Sequence, residues 1–103
     1  MAIKVMLLGL KMAVVEEVRD QLALPEVELF TGSSVEDLRE VLARTGLDHV
    51  VMGAGLELEQ RLGIVREIFE SSDRTTVHLK DWSSGPEGFL PFARAVIRGL
   101  HPA

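Results

Sequence analysis

Four short apolar runs recur at regular intervals along this chain, and an amphipathic stretch follows each of them. The first run, residues 3–9, is almost continuously apolar and ends at a glycine, which is typical of a strand buried on both faces of a parallel sheet. Further strands are predicted at residues 27–31, 48–53 and 75–79. Strands that alternate with helices indicate an α/β fold with right-handed crossovers.

The polarity of the four runs predicts the order of the strands. Residues 3–9 and 48–53 are nearly continuous in apolar residues and belong in the centre, whereas residues 27–31 and 75–79 alternate and belong at the edges. The order 2-1-3-4 satisfies both conditions and is the flavodoxin-like arrangement: a three-layer α/β/α fold around a four-stranded parallel sheet, with residues 1–103 as a single domain. Right-handed crossovers then place the first and fourth helices on one face and the second and third on the other.

Local signals predict where the helices begin and end. The first helix spans residues 11–24. Ser34 caps the second, in a near capping box with Asp37, and Gly46 suits its C′ position. The third spans residues 57–71, with an exposed pair between Glu57 and Arg61, and the fourth begins near Phe89, so that Pro91 falls in its first turn. The side chains of the third helix predicted to face inward are Leu58, Leu62, Val65, Ile68 and Phe69.

Composition excludes several function classes. The chain has 103 residues, of which 47% are hydrophobic, and its net charge is −5. The absence of cysteine excludes thiolate catalysis and Cys-ligated metal sites, and three histidines without ligand spacing predict no metal or other cofactor. The acidic balance argues against a nucleic-acid partner. The apolar N-terminal run is short and contains Lys4, and no run has the length of a membrane span, so we expect a cytoplasmic protein without a membrane partner. A composition rich in arginine and free of asparagine indicates a bacterial source.

The loops that follow the strands are the expected place for a ligand. In doubly wound sheets, ligands bind outside the carboxyl ends of the strands at the switch point, here between the first and third strands. Glycine turns there suit a small anionic ligand, although they also serve turn geometry alone. Trp82 either stacks on a ligand or covers the core, and Lys80 and Asp81 are alternatively a solvated pair. The candidate ligand-binding residues are Gly9, Lys11, Gly53, Gly55, Lys80, Asp81, Trp82, Ser83, Ser84 and Gly85.

The βα alternation behind an apolar N-terminal strand resembles the receiver domain of bacterial response regulators. Receivers have an acidic pair after the first strand, where this chain has Leu10 and Lys11, and a phospho-accepting Asp after the third, where it has Met52 and Gly53. The resemblance therefore implies a degenerate receiver-like domain without the phosphorylation site. The layout is also similar to the cellobiose-type B subunits of the sugar phosphotransferase system, whose cysteine nucleophile is absent here. Residues 75–100 resemble small actinobacterial proteins, which implies no activity.

Three functions follow from these patterns. The first is a non-catalytic regulatory or protein-interaction module that forms a homodimer or docks another protein, because the fourth strand leaves an unpaired edge and the last helix is rich in apolar residues. The alternative is a small-molecule, phosphate or nucleotide-binding domain that uses the loops above. An enzyme that uses Lys80, Asp81 or Ser84 is the third, but no spacing supports it and no catalytic residue is assigned. The acidic segment 16–40 forms either a solvated edge or a surface for a basic partner. The candidate interface residues are Thr76, His78, Phe89, Phe92, Val96 and Leu100.

Overall fold

Strands and helices alternate throughout the chain. A computed structural model describes residues 2–83 and 85–99. The elements are β1 (Ile3–Leu8), α1 (Met12–Gln21), β2 (Val27–Gly32), α2 (Val35–Arg44), β3 (His49–Met52), α3 (Leu58–Ser71), β4 (Thr76–Leu79), a 3₁₀ turn (Pro86–Gly88) and α4 (Phe89–Gly99). The four strands are parallel and ordered β2-β1-β3-β4. This confirms the predicted flavodoxin-like α/β fold.

The central strand β1 contributes to a separate core on each face of the sheet. Val5 and Leu7 pack against α1 and α4, whereas Met6 and Leu8 pack against α2 and α3. All four side chains are fully buried, because alternate residues of a strand point to opposite faces and both faces are covered. The predicted distribution of the helices over the two faces is therefore confirmed.

Most predicted helix boundaries are close to the observed ones, but two capping details differ. Ser34 caps α2 as predicted, since its Oγ accepts a hydrogen bond from the Asp37 N–H at 3.2 Å. The Asp37 carboxylate accepts from the Ser33 N–H at 2.8 Å and so does not complete a capping box with Ser34. Gly46 follows the C-cap of α2 without the left-handed φ that usually selects glycine there. The last helix begins at Phe89, as predicted.

The inward face of α3 is the main error of the sequence analysis. Leu58, Leu62 and Phe69 are 58%, 50% and 54% exposed, and the fully buried side chains of α3 are Ile64 and Ile68. At about 100° per residue, the mean direction of the five predicted positions is rotated roughly 90° around the helix axis from that of Ile64 and Ile68, so α3 rests on the sheet through a different side from the one predicted. The β4 strand is the last in the sheet, so no element among residues 2–83 and 85–99 covers the flank of α3 beyond it.

An ion pair holds a different flank of α3 against α2. Arg39 on α2 donates to both carboxylate oxygens of Glu67, with Nη2 2.6 Å from Oε1. This contact lowers the pKa of the Glu67 carboxyl and raises that of the Arg39 guanidinium. The predicted pair between Glu57 and Arg61 does not form: Glu57 instead makes a capping box with Gln60, and no described residue bonds the buried Arg61 Nε.

Candidate functional site

A cleft of about 620 Å³ opens at the carboxyl ends of the strands. Its lining comes from the turn after β1, the turn after β3 and the loop after β4, so it lies at the switch point where a ligand was predicted. The turn after β2 does not contribute to it. Of the predicted ligand-binding residues, Asp81 does not line the cleft and Ser84 lies outside the described residues. The predicted residues that do line it are Gly9, Lys11, Gly53, Gly55, Lys80, Trp82, Ser83 and Gly85.

The glycines of the two turns allow side chains to pack tightly over the strand ends. A Cβ on Gly9 would lie 2.8 Å from Val15 Cγ2, and one on Gly53 would lie 3.5 Å from the ring of Phe89. Both glycines are buried, and Val15 and Phe89 belong to the core between the sheet and α1 and α4. Close packing, in addition to turn geometry, therefore accounts for glycine at position 9.

Lys80 places a cationic side chain within the cleft lining. Its backbone N–H continues the sheet by donating to the Met52 carbonyl oxygen at 2.9 Å, so the residue is anchored directly after β4. Only 4% of Lys80 is exposed, and its Nζ donates to the Asp81 carbonyl oxygen at 2.9 Å. Neither ion pair found among residues 2–83 and 85–99 includes Lys80. The burial of Lys80 contradicts the interpretation of Lys80 and Asp81 as a solvated pair.

The loop after β4 carries the only tryptophan of the chain at the edge of this cleft. Trp82 is 76% exposed, so the interpretation that it covers the core is wrong. Hydrogen bonds shape the loop around it: Ser83 Oγ donates to Asp81 Oδ2 at 2.6 Å, and the Gly85 N–H donates to the Trp82 carbonyl oxygen at 3.2 Å. Gly85 has a φ of 73°, a conformation that glycine adopts without a steric penalty.

Apolar side chains that the sequence analysis did not assign to the site form much of the cleft wall. They come from the start of α1 and from the residues after β3, and Leu10 and Val14 are exposed although both are large and apolar. The sequence did contain a signal for these two residues. Leu10 and Val14 are four residues apart across the start of α1, and this spacing places both on one face of the first helical turn. Lys11 is exposed and precedes α1 without capping it through its side chain. The wall residues missed were Leu10, Val14, Val15, Ala54 and Phe89.

The two histidines of the sheet lie outside the cleft. His49 on β3 and His78 on β4 are half-buried neighbours, with 3.3 Å between His49 Nδ1 and His78 Nε2. Burial lowers the pKa of both imidazoles, and the adjacent His78 lowers that of His49 further. Both shifts favour the neutral imidazole, which costs less free energy to bury in the sheet than the charged form does.

The candidate interface residues are dispersed. Thr76 is exposed on β4, but Phe89 is buried in the core, and Phe92 and Val96 are half-buried against that same core. Leu100 lies outside the described residues. The apolar residues of α4 that suggested an interface are thus largely covered by the sheet and α1.

Within the described part of the chain, no three histidine, aspartate or glutamate side chains come close enough together to hold a metal ion. None of the helices in that part is both long enough and apolar enough to cross a membrane. No known protein family matches the chain, and no curated protein or solved structure matches it. The geometry of the cleft is therefore the basis for assigning a function.

Proposed function

We propose that this protein is a small-molecule-binding domain, and that its ligand carries a phosphate or carboxylate on a planar apolar group. The observation that carries the proposal is the buried Lys80 in the lining of an apolar cleft. A buried ammonium is costly unless its charge and its three N–H donors are matched. The Asp81 carbonyl oxygen matches one donor, and a bound anion would supply both the further acceptors and the counter-charge.

The other residues that line the cleft support the planar apolar group of the proposed ligand. Leu10 and Val14 present exposed apolar surface, and Trp82 presents an exposed ring on the loop that follows Lys80. Aromatic rings stack favourably on planar groups, and a volume of about 620 Å³ lies within the usual range for small-molecule sites. The start of α1 adds partial positive charge at the same end of the sheet.

Thermal unfolding with a panel of four compounds tests the proposal. Inorganic phosphate carries only the anion, whereas AMP, flavin mononucleotide and 2-naphthoate combine an anion with a planar group. A ligand at ten times its Kd stabilises the folded state by about 1.4 kcal/mol. That corresponds to an increase in Tm of roughly 6–11 °C for a domain of this size. We expect at least one of the three combined ligands to produce such a shift and phosphate alone to produce a much smaller one.

Lysine substitutions identify the site. Lys80→Met removes the charge but keeps the length of the side chain, and an apolar side chain does not carry the free-energy cost of a buried charge. We expect Lys80→Met to lose the ligand-induced shift, whereas Lys4→Met, at the opposite end of β1, retains it. Quenching or a blue shift of Trp82 fluorescence provides a second readout, because Trp82 is the only tryptophan. No shift with any compound at millimolar concentration, or the same shift in Lys80→Met, would contradict the proposal.

A further inference from the structure

Three exposed side chains of α3 and the half-buried Val65 form a continuous apolar stripe. Leu58, Leu62, Val65 and Phe69 lie within an arc of about 60° at the helical repeat of about 100° per residue. Glu67, which pairs with Arg39 on α2, lies on nearly the opposite side of the helix. The stripe therefore faces away from α2, toward the side of the sheet that ends at β4.

The free edge of β4 lies beside this stripe. The N–H groups of Thr76 and Lys80 donate to β3, so the intervening odd-numbered residues, Val77 and Leu79, direct their N–H and C=O groups to the open edge. Val77 packs into the core on the α3 side, and Leu79 shares that face because it is two residues further along the strand. Leu79 is 46% exposed.

The two edges of the sheet differ in how they are protected against pairing. The strand β2 carries Glu28 and follows Pro25 and Glu26, and such residues discourage a second strand from pairing. The strand β4 (Thr76–Leu79) contains neither a charged residue nor a proline. Only the β4 edge therefore combines an unprotected strand with an exposed apolar helix flank.

We propose that a second copy of this chain occupies this surface, by antiparallel pairing of the two β4 strands about a two-fold axis perpendicular to the sheet. This homodimer goes beyond the proposed ligand binding and uses a different part of the molecule. The axis keeps both α3 helices on the same face, side by side and antiparallel. Packed helices lie 8–10 Å apart, which is about two strand spacings, so strand pairing and helix packing are compatible.

Charge favours a second copy over an unrelated partner. In the antiparallel arrangement, Leu58 lies opposite Phe69 of the second copy, and Leu62 lies opposite its Val65. This register brings Glu59 within one helical turn of the second copy's Arg66. Both residues are exposed on the outer border of the stripe, and neither takes part in an ion pair among residues 2–83 and 85–99. The symmetry generates this pair twice, so the surface complements itself in charge as well as in apolar area.

Light scattering coupled to size exclusion tests the dimer over about 5–500 µM protein, a range that covers weak to moderate association. We expect the mass to rise with concentration from 11.4 kDa toward twice that value. Leu62→Glu should be monomeric throughout, because it places a charge in the centre of the stripe. Leu24→Glu makes the same change at an exposed leucine beside β2 and should dimerise like the unmodified protein. Circular dichroism confirms that both variants fold.

A charge exchange tests the geometry of the pair. Glu59→Arg and Arg66→Glu should each weaken dimerisation roughly tenfold, since each sets like charges together twice, and the double variant should restore it. A monomer at all concentrations, or a dimer that Leu62→Glu leaves intact, would overturn the inference. Neither result bears on the cleft, and Lys80→Met should still dimerise, so the two proposals can fail separately.

Discussion

Replacing Gly9 by alanine isolates the steric role of glycine at the end of β1. The added Cβ would lie 2.8 Å from Val15 Cγ2, which is 0.6 Å inside the 3.4 Å at which ordinary contacts begin. Neither side can yield easily, because the Gly9 N–H is bonded to the Gly32 carbonyl oxygen and Val15 is buried between α1 and the sheet. Overpacking of this kind costs about 1–3 kcal/mol.

The matched control is Gly46→Ala. A Cβ at Gly46 meets nothing within 4 Å, and its φ is not in the left-handed region. Alanine at such a position stabilises a protein by about 0.4–1 kcal/mol, because it restricts the unfolded chain. The same gain applies to Gly9→Ala, so the difference in unfolding free energy between the two variants is the steric cost alone, about 1–3 kcal/mol.

Urea denaturation followed by far-UV circular dichroism measures this difference. Fluorescence is less suitable, because the only tryptophan, Trp82, is already exposed in the folded protein. In the double variant Gly9→Ala/Val15→Ala the clash is absent, so its destabilisation should be smaller than the sum of the single variants by about 1–3 kcal/mol. Equal stabilities of Gly9→Ala and Gly46→Ala would refute the reasoning.

Three further predictions concern α3, α2 and the sheet. Ile68→Ala should lower the free energy of unfolding by about 2–5 kcal/mol in urea denaturation, because Ile68 is fully buried. Phe69→Ala, at the exposed neighbouring position, should lower it far less at concentrations where the protein is monomeric. Equal losses of unfolding free energy in the two variants would contradict the burial described above. Ser34→Ala should cost about 0.5–2 kcal/mol in the same assay by removing the α2 cap, and Ser34→Asp should retain most of the stability. Burial holds the pKa values of His49 and His78 below 6.5, so the unfolded chain binds more protons as the pH falls below 6.5 and the unfolding free energy declines there. In pH-dependent denaturation, the unfolding free energy of a variant with glutamine at both positions should decline less below pH 6.5 than that of the unmodified protein. The same pH profile for both proteins would contradict the role given to the two histidines.

The strand order, and the face of the sheet on which each helix lies, could be predicted because they depend on local patterns and on right-handed crossovers. A run such as residues 3–9 has no polar face to turn toward solvent, so it can only lie in the centre of the sheet. The cap at Ser34 and the start of α4 at Phe89 likewise depend on neighbouring residues. The position of the candidate site also follows from topology, since parallel strands bring their carboxyl ends to one edge.

The burial or exposure of individual side chains in the cleft could not be predicted from local patterns. Lys80 follows an alternating edge strand, where a lysine is normally solvated, yet it is buried. Trp82 is the most apolar residue of that loop and is nevertheless exposed. Burial at these positions depends on where the loop lies relative to Gly53 and Phe89, which are distant in sequence.

The sequence by itself determined the architecture, because the period of apolar residues decides whether a segment is a strand or a helix and how many of its faces are covered. Tertiary structure decided which apolar residues stay in contact with water. Leu62 and Phe69 repeat with the spacing of a core face, but a helix can bury them only if another element lies beside it. Since the sheet ends at β4, no described element covers that flank, and the apolar stripe remains open for a second copy of the chain.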